Sequence, residues 1–217
     1  MIEDLDFETY LYISKDKFQI FVLNKKKLKN LYSQELKIDH QFDFKDLNIL
    51  LNFLDKNIYK IEKLIGNFIK NIILIVENEK NLKINMGIKK NYETSLKQKS
   101  FSSNLTELKD LFKKNYQDQT IMHMCIINYI IDGKRYSSFD TKLINDYFCI
   151  EVSFIAIDNK LVFAFDNVLE KYQIKIKQYM CGNYINNFIG DTGDEISIIA
   201  NKLRNGLNIN EITFVPK

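Results

Sequence analysis

Proline, tryptophan, glycine, cysteine and histidine are all scarce in this chain of 217 residues, and most of these scarcities close off a class of function. The seven glycines are scattered, so no Gly-x-Gly-x-x-Gly and no Gly-Lys-Ser/Thr run exists to let backbone amides wrap a phosphate. The three cysteines, Cys125, Cys149 and Cys181, are odd in number and far apart, which fits neither a disulfide framework nor a zinc pattern. Two of them sit in apolar, strand-like runs, where a thiol behaves as a small hydrophobe, and a reducing compartment is expected. The two histidines, His40 and His123, are distant in sequence, with no serine, cysteine or carboxylate at a catalytic spacing. His123 lies inside an apolar run, so a packed or hydrogen-bonded structural role is expected of it. No apolar run approaches the ~20 residues that cross a bilayer, and the acidic start Met1-Ile-Glu-Asp-Leu-Asp is unlike a signal peptide. No catalytic residue, cofactor or metal site is expected.

What is present is core material. Hydrophobic residues make up 46% of the chain, and the 16 phenylalanines and 12 tyrosines each bury a large area, so a folded protein is expected. The charge is nearly balanced, 31 basic against 28 acidic residues, and the lysines are spread out, which argues against a nucleic-acid footprint. The one short run, Lys25-Lys26-Lys27, falls where a hairpin turn is expected and reads as solvated. The abundance of Lys, Asn and Ile beside a single proline, Pro216, has the look of AT-rich coding, so lysine by itself carries little meaning. Asp16, Asp132, Asp140 and Asp158 also fall at expected turns, where aspartate bonds its own backbone.

Periodicity predicts a hairpin over residues 9–14 and 18–23, then a third strand over 31–38. Residues 44–65 carry Leu47, Leu50, Leu51, Leu54, Ile58, Ile61 and Ile65 at helical spacing, with Asp43 and Asp46 at the start and Gly66 as the stop. The run 72–76 predicts a parallel strand covered on both faces, and 82–88 one further strand. A polar loop, 91–103, precedes a helix over 104–116 with Asn104 and Glu107 as a capping pair. Long strands follow at 121–131 and 147–157, then a helix over 160–172 and a strand over 174–179. The tail holds a helix over 194–205, ended by Gly206, and a short strand over 211–215. Asp191-Thr192-Gly193-Asp194 reads as a loop and helix cap.

The run Ile121-Met-His-Met-Cys-Ile-Ile-Asn-Tyr-Ile-Ile-Asp-Gly133 resembles the Ile-x-His-Val-x-Pro-x-x-Tyr-x-Val-Asp-Gly strand of the FtsA family, the bacterial actin-like cell-division proteins. His123, Tyr129, Asp132 and Gly133 match in register, and Ile126 stands at the family's proline. The order of elements is also similar over residues 8–180. The resemblance implies an α+β (α/β) fold: a partial actin-like (ribonuclease H-like) subdomain over 1–90, with 181–217 returning to it, and an inserted SHS2-type α+β subdomain over 91–180. Tyr10-Leu-Tyr-Ile-Ser-Lys-Asp-Lys17 departs from the family's Gly-Leu-Asp-Ile-Gly-Thr-Ser-Lys phosphate loop. Tyr12 takes the place of the metal-organising aspartate, and both glycines are gone.

The resemblance therefore implies a scaffold without catalysis, acting by protein contact with cell-division proteins or with itself. It implies no nucleic acid, no small-molecule substrate, and a membrane contact only through a tether outside these residues. It places the protein in the cytoplasm, peripheral to the inner face of the cell membrane at the division site. The alternative is a PilM-like SHS2 scaffold of a pilus or secretion assembly; a nucleotide-binding actin-like ATPase is the third reading.

Overall fold

The structure, a computed structural model, describes residues 6–39, 42–44, 46–91, 98–131, 133–137, 147–190 and 193–212. Among these residues the strands are Phe7–Ile13 (β1), Lys17–Asn24 (β2), Lys29–Lys37 (β3), Asn71–Val76 (β4), Leu82–Asn91 (β5), Gln119–Ile131 (β6), Lys134–Tyr136 (β7), Tyr147–Asp158 (β8) and Lys175–Cys181 (β9). The helices are Asn48–Ile65 (α1), Gln98–Asn115 (α2), Asn159–Glu170 (α3), Gly182–Asn186 (α4) and Ile196–Arg204 (α5). The chain divides into two units, Met1–Lys80 with Lys160–Leu207, and Asn81–Asn159 with Asn208–Lys217.

The first unit is a five-stranded sheet in the order β3-β2-β1-β4-β9. β1, β2 and β3 are antiparallel neighbours, whereas β4 runs parallel to β1 and β9 parallel to β4. Tyr10, Leu11, Tyr12 and Ile13 are all buried, because β1 is central and covered on both faces. Tyr10, Tyr12, Phe21, Ile73 and Ile75 pack with Ile185 of α4 and with Ile196, Ile199 and Leu203 of α5. The alternate residues point the other way. There Phe18 meets Phe53 of α1, ring centroids 6.0 Å apart, and Phe42 at 4.7 Å. α1 buries Leu50, Phe53, Leu54, Ile58 and Ile61 and ends where Gly66 turns left-handed at φ 69°, its N–H donating to the Glu62 carbonyl. A mixed α/β unit results, with the hairpin, added strand, crossover helix and buried parallel strand expected of a partial actin-like subdomain.

The second unit is a four-stranded antiparallel sheet, β5-β8-β6-β7. Phe148, Ile150, Val152 and Phe154 of β8 pack against Leu105, Leu108 and Phe112 of α2. Phe112 and Phe154 stack at 4.7 Å. Glu211 bridges Cys125 antiparallel, with Ile126 N donating to Asn210 O at 2.9 Å and Ile212 N to Met124 O at 2.8 Å.

Several expectations need correction. The second unit starts at Asn81 and stops at Asn159, not at 91 and 180. β5 leaves the first unit because its ten-residue ladder, Leu82↔Ala156 through Asn91↔Tyr147, is with β8. β9 joins the first because its partner is β4. Residues 208–212 return to the second unit, whereas the resemblance puts all of 181–217 in the actin-like part. α2 begins at Gln98, so Asn104 and Glu107 lie inside the helix and cap nothing; Asn104 is buried, and Glu107 meets Lys90 at 2.8 Å. α1 begins at Asn48, whose N–H donates to Asp46 Oδ1 at 3.1 Å, so residues 44–47 precede the helix. The N-cap of α5 is Glu195 and makes no side-chain cap bond; Asp194 pairs with Lys202 at 2.5 Å. Asp191 and Thr192 lie outside the described residues, as do 213–215 of the expected last strand.

Candidate functional site

β1, β4 and β9 are parallel, so their carboxyl ends share one end of the sheet, the place where open α/β sheets bind ligands. Ser14, Glu77 and Gly182 follow directly there. A cavity of about 410 Å³ opens beside them, lined by Tyr12, Asp16, Lys17, Gln19, Glu77 and Asn186 among others. This is where the sequence placed the altered phosphate loop.

The polar side chains that line the cavity are engaged with neighbours. Tyr12 donates its hydroxyl to Glu77 Oε2 at 2.6 Å, and Asn186 Nδ2 donates to the same oxygen at 2.6 Å. Burial first, and then the hydrogen bond to the Glu77 carboxylate, push the Tyr12 phenol well above its ordinary value. Lys17 Nζ lies 5.7 Å from the centre of the Tyr12 ring and 3.8 Å from Glu35. Ser14 N donates to Lys17 O at 3.0 Å, Lys17 N to Ser14 Oγ at 3.2 Å, and the Ser14 hydroxyl bonds Asp16. The Glu77 amide donates to Ile13 O at 2.8 Å. A phosphate turn needs free amides aimed at the ligand; here the Ser14 and Lys17 amides close the turn on itself. The lining adds Asp16, Glu77 and Glu195 against Lys17, which disfavours a polyanion.

Gly182 explains how β9 comes so near. A Cβ built on it would lie 2.7 Å from the Glu77 Cβ and 3.1 Å from its Cα and N, so only glycine admits this approach. Glu77, Gly182 and Asn186 were not singled out from sequence. The one signal was a glycine directly after a strand, Cys181-Gly182.

The family-motif residues lie elsewhere, in the second unit. His123 is 2% exposed on β6, with Nδ1 2.6 Å from Glu211 Oε1. Tyr129 is buried, its ring 6.3 Å from that of Phe148. His123 and Tyr129 are six residues apart along one strand, about 20 Å, and so share no single contact point. Gly133 takes φ 81° in the turn to β7, a conformation that favours glycine; Asp132 lies outside the described residues.

Among the expected turn residues, Asp16 bonds Ser14, and Lys26 pairs with Asp6 at 2.9 Å while Lys27 N donates to Asn24 Oδ1. Asp158 closes β8, and His40 and Asp140 lie outside the described residues. Cys125, Cys149 and Cys181 are unbridged. Among the described residues no group of three or more His, Cys, Asp or Glu could hold a metal, and no helix is long and apolar enough to cross a membrane.

No family model matches this chain, and no curated protein does. Solved structures do. The cytoplasmic domain of EpsL, an inner membrane component of the type II secretion system of Vibrio cholerae, is 8% identical; the match covers 81% of this chain and 55% of that one, with a TM-score of 0.35. The PilM-PilN type IV pilus biogenesis complex is 7% identical, with coverage of 83% and 49% and a TM-score of 0.48. A Bacteroides thetaiotaomicron protein with an actin-like ATPase fold and unknown function is 15% identical, with coverage of 87% and 58% and a TM-score of 0.32. The chain spans about half the length of these structures, and what it is similar to in them is the fold.

Proposed function

We propose that this chain is a scaffold that works by protein–protein contact and neither binds nor hydrolyses a nucleotide. The observation that carries the reading is the strand end, where Tyr12 and Asn186 both donate to Glu77 and the Ser14 and Lys17 amides are spent inside the turn. A nucleotide would have to break these bonds and bring its phosphates against three carboxylates. The protein partner stays unassigned on this reading, and self-association is included.

Of the assemblies such a scaffold could serve, a PilM-like place in a pilus or secretion machine comes first. The division reading rests on one strand motif and on the order of elements over residues 8–180; in the motif Ile126 stands at the family's proline and Asp132 lies outside the described residues. That motif still favours the FtsA-like role as the second reading, because His123, Tyr129 and Gly133 hold their register on β6 and its turn.

The test is thermal denaturation of the full chain with and without Mg-ATP. A ligand at 100 times its dissociation constant stabilises by about 2.7 kcal/mol, which is readily seen. No shift is expected, and a saturable one overturns the reading. Pull-down against pilus and division components, each expressed separately, then chooses between the assemblies.

A further inference from the structure

We propose that the outer face of α1 and the loop after it form a docking surface for an anionic lipid bilayer, independent of the reading above. The face is built by helical spacing. Lys56, Tyr59, Lys60, Lys63 and Leu64 are three or four residues apart and all exposed, so they lie on one side of the helix. Gly66 then turns the chain, and Phe68 and Lys70 follow, both exposed. Tyr59 is 72% exposed, Leu64 54% and Phe68 78%, far more than large apolar side chains of a folded domain need be.

Lysine is common throughout this chain, so lysines alone would mean little. The arrangement of the carboxylates is what distinguishes the face. Asp55 and Glu62 are the acidic residues between 55 and 71, and each already accepts a hydrogen bond from its own unit. Asp55 accepts from the Tyr172 hydroxyl at 2.6 Å, and Glu62 Oε1 accepts from Ile69 N at 3.1 Å. Among the described residues, Lys56, Lys60, Lys63 and Lys70 therefore project without a salt bridge to a carboxylate, beside two aromatic rings and a leucine.

Cations with interleaved aromatic and aliphatic tips on a convex helix suit the headgroup region of a membrane. The lysines meet anionic phosphates there, and the tips enter the acyl boundary. Each lysine near such a surface contributes a modest and salt-sensitive attraction.

The test is co-sedimentation of the full chain with vesicles of phosphatidylcholine alone, and of phosphatidylcholine mixed with phosphatidylglycerol. Binding to the mixed vesicles at low salt, weakened by added salt and absent with phosphatidylcholine alone, is expected. Lys60→Gln/Lys63→Gln should lower the partition coefficient about thirty-fold. Phe68→Ser should lower it with the charge intact. All three side chains are exposed, so the variants should melt with the wild type, which is checked directly. Failure to bind mixed vesicles, or equal binding by the wild type and both variants, overturns the proposal. So does a wild type that ignores vesicles while the lysine variants lose capture of an acidic protein, because the face then belongs to that protein.

Discussion

The backbone of Gly182 lies directly against Glu77, close enough that an added Cβ would fall 2.7 Å from the Glu77 Cβ. The contact seals the strand end at which Tyr12 and Asn186 meet the Glu77 carboxylate. Gly182→Ala should therefore destabilise the first unit by roughly 1–3 kcal/mol, the usual result of overpacking. Urea denaturation measures it; an unchanged midpoint would mean that β9 and the start of α4 can move away freely.

Buried and half-buried tyrosines with carboxylate partners predict alkaline lability. Tyr10 donates to Glu8 at 2.8 Å, Tyr12 to Glu77 at 2.6 Å, Tyr172 to Asp55 at 2.6 Å and Tyr179 to Asp166 at 2.8 Å. Burial first, and then the carboxylate, hold each phenol above its ordinary 10.0. A phenol raised on folding stabilises the folded state fully below pH 10, and that stability is lost as the pH climbs toward the folded value. For Tyr10 the slope approaches about 1.4 kcal/mol per pH unit. Phenolate absorbance should report some tyrosines ionising only as the protein unfolds. If all 12 ionise near pH 10 in the folded chain, the network is not protected.

At the acid end the relevant group is Glu8. Burial favours its neutral form, but Arg204 at 2.6 Å, the Tyr10 hydroxyl and Lys177 outweigh that and hold the carboxyl below its ordinary 4.5. A depressed carboxyl contributes stability that is present above pH 4.5 and is lost as the pH falls through the folded value. Glu8→Gln should cost roughly 2 kcal/mol at neutral pH and flatten the acid limb. Parallel acid limbs for variant and wild type would assign the acid dependence to other groups.

Tyr129→Ala should lower stability by about 3 kcal/mol, because Tyr129 is 6% exposed in the core of the second unit. Stability left intact, with partner capture abolished, would make the residue part of an interface instead.

Fragment boundaries give a direct contrast. Residues 81–159 contain β5, α2, β6, β7 and β8, whereas 91–180 lacks β5 and carries β9, whose partner β4 is absent. The first fragment should unfold cooperatively in denaturant, more so when 208–217 is joined to it, and the second should not. Cooperative unfolding of 91–180 alone would restore the boundaries read from sequence.

Local signals were legible in the sequence because each depends on neighbours along the chain. The apolar stripe of α1, its Gly66 stop and the alternation in β1, β2, β6 and β8 need only periodicity and backbone preference. The loss of glycine around Tyr12 was likewise plain. Pairing across long separations was not legible. Nothing local tells β5 to choose β8 over the first sheet, or β9 to choose β4 over the second. An alternating strand suits any sheet with one buried face, and tertiary packing selects which. For the same reason the strand end could be located from sequence while its content could not. Glu77 and Asn186 stand 65 and 174 residues after Tyr12, and Tyr12 and Asn186 meet on the Glu77 carboxylate only once parallel pairing aligns the strand ends. Composition and periodicity determined most of the elements, and the family resemblance located the altered phosphate loop; the tertiary structure alone decided which strands pair, and so which side chains occupy the place a ligand would take.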